Sequence, residues 1–151
     1  MPENLPDLLR LITLLVMGFT SFSAFGIGTL FFFKRSGLAA ANQIYGTLLL
    51  SCGGMQLHFL FAFAGWLTDF ATLKFLPIYF SLSIPVLFFY YVKLTLYPSY
   101  RPRRTDIKHF ILPLGQILYM FGIWLFPDLR TPTGRHFYNP FYGGLEQALF
   151  I

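Results

Sequence analysis

The sequence predicts an all-α membrane protein of about four transmembrane helices, on three observations. Of its 151 residues, 56% are hydrophobic, 21% aromatic and only 11% charged, whereas roughly a quarter of the residues of soluble domains are charged. Runs without charge recur at about 11–33, 43–67, 76–92 and 110–126, and at ~1.5 Å per helical residue such runs cross or nearly cross a hydrocarbon core of about 30 Å. The basic residues gather between alternate runs, as insertion with the positive loops inside requires. The mean hydropathy of +0.60 follows, because helix faces that meet lipid keep no polar stripe for water. The whole chain, 1–151, reads as one polytopic domain.

The first span follows a short acidic segment with Pro2, Glu3, Pro6 and Asp7, residues suited to lie outside the membrane and to start a helix. A cleavable signal peptide would want a positive charge there, so 11–33 is expected to be a retained helix. Its 23 residues suffice to cross with some tilt. Thr20, Ala24 and Gly28 recur every four residues and predict a face on which another helix backbone can approach closely, widened by Ser21, Ser23 and Gly26. Gly26 and Gly28 also spell G-x-G, but with no third glycine and no preceding strand this is packing and not a dinucleotide site.

Lys34 and Arg35 close the first span, and Gly37 can terminate its helix. The second span, 43–67, carries Gly46, Ser51, Gly53, Gly54, Gln56 and His58 and ends at Trp66, a residue type suited to the interface. It is the most polar of the four, so Gln56 and His58 should face other helices. Cys52, the only cysteine, is read as a small packing residue, since one cysteine builds no disulfide framework. The loop 69–74 balances Asp69 against Lys74 and is expected outside.

In the third span, 76–92, Pro77 suits a first helical turn while Pro85 falls in the interior, where a kink is expected. The connector that follows holds Lys93, Arg101, Arg103, Arg104 and Lys108 against the single acid Asp106. With Lys34 and Arg35 these cations form the cytoplasmic anchor. In the fourth span, 110–126, Pro113 occupies the first turn, Gly115 and Gly122 lie seven apart on one face, and Trp124 marks the outer end. Residues 128–144 read as a loop rich in Pro, Gly, Arg and aromatics, with His136 a solvated member; 144–151 turn apolar again, an incomplete fifth segment. Helix contacts are expected at Thr20, Ala24, Gly28, Gly53, Gly54, Gly115 and Gly122.

No span holds paired carboxylates, and the chain has neither a nucleophile elbow nor a phosphate loop; no enzymatic activity is expected. A net charge of +5 and a pI near 9.5 reflect cations beside membrane spans instead of one basic face of a soluble module, so no direct nucleic-acid binding is expected. His58 and His109 cannot share a haem: His58 lies 15 residues past Gln43, roughly 22 Å deeper at 1.5 Å per residue, while His109 sits at the cytoplasmic edge. His58 alone remains a candidate axial ligand, against the reading of a hydrogen-bonded helix residue. No cofactor is otherwise expected. Lipid, quinone or pigment contact by the 20 Phe and 9 Tyr stays open.

Read as a string, Pro77-Ile78-Tyr79-Phe80-Ser81, then Ile84-Pro85-Val86-Leu87-Phe88-Phe89-Tyr90-Tyr91-Val92, Tyr97-Pro98-Ser99-Tyr100-Arg101-Pro102-Arg103-Arg104 and His109-Phe110-Ile111-Leu112-Pro113 resembles the N-terminal membrane domain of bacterial membrane-anchored AraC-type transcription regulators. The resemblance covers roughly 77–125 and implies a sensor-type or anchoring domain in the bacterial cytoplasmic membrane. No helix-turn-helix sequence follows within these residues, so DNA binding is not carried over. The expected role is helix, lipid and protein contact, with other membrane subunits or a second copy as partners. The alternative is a small accessory subunit of a large respiratory or photosynthetic complex.

Overall fold

The computed structural model describes residues 5–101 and 103–126. Of these, 82% are helical and none is in a strand. Helix α1 runs Leu5–Phe33, α2 Ala39–Ala64, α3 Trp66–Asp69, α4 Ser83–Leu96 and α5 Ile111–Leu125; 3-10 helices occupy Ala71–Phe75 and Arg104–Phe110. The loop residues 128–144 and the apolar segment 144–151 lie outside the described residues.

Among the described residues three helices are long and apolar enough to cross a membrane: Asp7–Phe33, Ala39–Ala64 and the composite Arg104–Leu125. The fourth expected span is not a membrane-length helix. Over 76–92 the sequence suggested one continuous helix, but the chain turns through 76–82 and becomes helical only at Ser83. The 14 residues of α4 rise about 21 Å at 1.5 Å each. Proline explains the late start. Inside a helix it would lose a hydrogen bond and clash with the preceding turn, but as the third residue of α4 Pro85 has no intrahelical N–H to give up. The kink expected there is absent for that reason, and Pro77 lies in a turn instead of a first helical turn.

Helix α2 is central, and its composition shows why. Gly46 and Gly53 face α1, and Gly54 faces the segment ahead of α4. A helix packed on two sides needs small residues on two faces. Gly37 (φ +67°) turns the chain between α1 and α2, and Gly65 (φ +86°) ends α2 with its N–H donating to the Ala62 carbonyl. Both angles lie where a side chain would be strained.

The segment 76–96 runs antiparallel to α2. Tyr79 lies tilted against His58 and edge-on to Phe59, the Ile78 carbonyl lies over Gly54, and Tyr91 stacks on Tyr45 at 4.8 Å, with Phe31 edge-on to Tyr45 at 5.0 Å. The end of α1, the start of α2 and the end of α4 therefore meet at one end of the bundle. The opposite end brings Arg10 to the Ala64 carbonyl, 3.5 Å away.

Candidate functional site

The seam between α1 and α2 is built from backbone proximity. A Cβ on Gly46 would collide with the Phe32 N–H and lie 2.6 Å from the Gly28 carbonyl oxygen; one on Gly28 would meet Gly46 O at 3.0 Å; one on Gly53 would meet Ala24 Cβ at 3.2 Å. Ser21, 1% exposed, donates its hydroxyl to the Gly53 carbonyl at 3.0 Å. The stripe that packs is thus Ser21, Ala24 and Gly28. At about 100° per residue, spacings of three and four keep a stripe straight whereas repeated fours drift sideways. Thr20 accordingly lies at the exposed edge, its hydroxyl returned to the Val16 and Met17 carbonyls and reached by Gln56 Nε2 at 3.5 Å.

A second constellation holds the break ahead of α4. Gln116 of α5 is 2% exposed; its Oε1 accepts from the Leu82 N–H at 3.1 Å, and its Nε2 donates to Ser81 Oγ at 3.1 Å. Ser81, Leu82 and Ser83 are all buried. Irregular backbone at membrane depth persists only where protein satisfies its polar groups, and Gln116 meets that need. Sequence reasoning missed it, since nothing local distinguishes a glutamine that caps another helix 34 residues away.

Behind this clasp lies a cleft of about 500 Å³ between α2, the break and α5. Leu50, Ile78, Phe80, Leu87, Phe110 and Ile117 are among its walls. Its polar lining is confined to hydroxyls of Thr47, Ser51 and Ser83, and Thr47 donates internally to the Gln43 carbonyl at 2.8 Å.

The connector forms a third constellation. Tyr100 Oη donates to Asp106 Oδ2, the Arg103 N–H donates to the same oxygen at 2.6 Å, and Tyr90 Oη donates to the Asp106 carbonyl at 3.3 Å. Lys93 Nζ sits 3.9 Å above the Tyr100 ring, a favourable cation–π distance. The one acid of the loop is held by these hydrogen bonds, and Arg101, Arg103, Arg104 and Lys108 are exposed. Lys34 and Arg35 lie at the same end of the bundle, placed there by the Phe31, Tyr45 and Tyr91 stack. Replacing Asp106 by alanine is expected to release Tyr100 and the start of the 3-10 helix. Tryptic cleavage after Arg103 and Arg104 in detergent micelles should then be several-fold faster.

His58 stands apart. Its ring meets Tyr79 at 5.3 Å and Phe59 at 6.5 Å, and its buried Nδ1 has no hydrogen-bond partner among the described residues. The sequence turned this ring toward another part of the chain, and the neighbour there is Tyr79, by ring contact. Among the described residues no three His, Cys, Asp or Glu side chains converge on a metal position. Substituting His58 by glutamine is expected to leave the helical content and the visible absorption of the purified protein unchanged. Loss of an absorption band in that variant would make His58 a haem or pigment ligand.

Gly115 and Gly122 face away from the bundle, and a Cβ at either would meet nothing within 4 Å. With Ile111, Leu118 and Leu125, each at least 60% exposed, they make an open stripe spaced four, three, four, three. The opposite stripe of α5, Pro113, Gln116, Met120 and Ile123, is buried against the rest of the chain. No family model, curated protein or solved structure matches this chain.

Proposed function

We propose that this chain is a non-catalytic membrane domain that works by docking a transmembrane helix of another chain, or of a second copy, against the open stripe of α5. The observation that carries this reading is the stripe itself: Gly115 and Gly122 one heptad apart, flanked by the exposed Ile111, Leu118 and Leu125, with no described residue within 4 Å of a Cβ placed on either glycine. Seven-residue spacing of small residues between bulky apolar ones lets two helices pack at a shallow left-handed angle. Lipid gives no comparable reason for glycine in a helix, where it costs about 1 kcal/mol relative to alanine.

In this reading the chain passes the membrane four times. The third passage is a composite: the segment 76–82 held by Gln116 and Gly54, followed by α4. The basic end, with Lys34, Arg35, Lys93, Arg101, Arg103, Arg104 and Lys108, faces the cytoplasm of a bacterial inner membrane, and the N-terminus faces outward. The resemblance to membrane domains of AraC-type regulators supports a sensor or anchoring role; the same open stripe serves an accessory subunit of a larger complex equally well. Purification in mild detergent, with native mass spectrometry, separates these two. Self-association or association with one small partner supports the sensor-type reading, and a stoichiometric large complex supports the subunit. A strictly monomeric chain, unchanged by Gly115→Leu and Gly122→Leu, would overturn the docking role.

A further inference from the structure

We infer that the cleft beside α5 is a site for one anionic phospholipid, with an acyl chain between α2 and α5 and the phosphate on the basic 3-10 helix at its mouth. Two independent features meet here. The cleft, about 500 Å³, has a size typical of small-ligand sites. Its walls carry no charge and its only polar lining is three hydroxyls, so a hydrocarbon chain suits it better than a headgroup that needs fixed donors. Phe110, a wall residue, is the last residue of the 3-10 helix that carries Arg104 and Lys108. An amphiphile whose chain passes Phe110 therefore leaves the cleft among cations.

Those cations are available. The only acid of the loop, Asp106, accepts from Tyr100 and from the Arg103 N–H; this single carboxylate is outnumbered by Arg103, Arg104 and Lys108, which are exposed. Each cation at the membrane surface attracts an anionic headgroup by about 1 kcal/mol, an amount that adds over a cluster. A zwitterionic lipid gains little from this arrangement. The seat takes Pro113, Leu114 and Ile117 from α5, none of them a residue of the open stripe, and does not depend on that stripe's partner.

The test is native mass spectrometry of the purified full chain released from nanodiscs of equal phosphatidylglycerol and phosphatidylcholine. The expected spectrum shows a single saturable phosphatidylglycerol adduct. Arg104→Gln with Lys108→Gln, which leaves the other basic anchors in place, should lower the ratio of anionic to zwitterionic adduct on the order of tenfold. Ile117→Trp, which fills the cleft, should lower total adduct several-fold without changing that ratio; circular dichroism of both variants checks that they stay folded. Equal retention of the two lipids, multiple unsaturable adducts that Ile117→Trp leaves unchanged, or a bound fatty acid in place of phospholipid would each overturn the site.

Discussion

Replacing Gly46 by leucine is expected to force α1 away from α2 and to destabilise the bundle more than any other single substitution in the seam. The added Cβ alone would run into the Phe32 backbone and the Gly28 carbonyl, and backbone atoms cannot rotate aside as a side chain can. Overpacking typically costs about 1–3 kcal/mol, and a collision with two backbone groups belongs at the upper end. Gly28→Leu should be milder, since its neighbours at 3.0–3.1 Å include the Leu49 and Leu50 side chains, which can shift. Gly115→Leu is the control: with nothing within 4 Å and a better helix former in place of glycine, it should not lower the isolated chain's stability. Unfolding by denaturing detergent, followed by circular dichroism, ranks the three. An unchanged midpoint for Gly46→Leu would mean that α1 and α2 do not pack through this face.

Replacing Gln116 by leucine should have the next largest effect, because it removes two buried hydrogen bonds. The Leu82 N–H would lose the Gln116 Oε1 acceptor, and Ser81 Oγ would lose the Gln116 Nε2 donor. One orphaned buried group costs roughly 1–3 kcal/mol, more where no water competes. The loss should be local, so amide exchange over 78–84 should rise before the rest of α4 loosens. Ser81→Ala, which spares the Leu82 bond, should cost less. Equal exchange protection of 78–84 in Gln116→Leu and the parent would show that the break is held by something else.

These two residues also mark where the sequence stopped being legible. Uncharged length and loop charge revealed the helical class, α1, α2 and most of α5, because those features act locally and the membrane reads them one segment at a time. The start of α4 depends on a choice that the apolar run 76–92 does not encode alone. Pro85 is costly in a helix interior and harmless in a first turn, but starting the helix at Ser83 strands polar groups unless Gln116 arrives from another helix. Within the seam, the small-residue pattern pointed to the correct helix, yet repeated fours selected Thr20 where helical phase selects Ser21. Gly46 read as one polar-helix glycine among several; its role depends on which way α2 is turned between two neighbours. Gly115 and Gly122 share a face of α5, and no described residue comes within 4 Å of a Cβ placed at either.

On the proposed four-pass topology, the segment from α3 to the basic connector crosses the membrane although α4 is too short to do so alone. Cysteine labelling measures it directly, with Cys52 replaced by serine and single cysteines placed at Thr72, in the 3-10 helix after α3, and at Ser99, in the connector, both exposed. With an impermeant maleimide on intact cells, the cysteine at Thr72 should react and the one at Ser99 should react only after the membrane is opened. Reaction of both positions from the outside, or of neither, would place residues 72 and 99 on the same side and contradict a third passage.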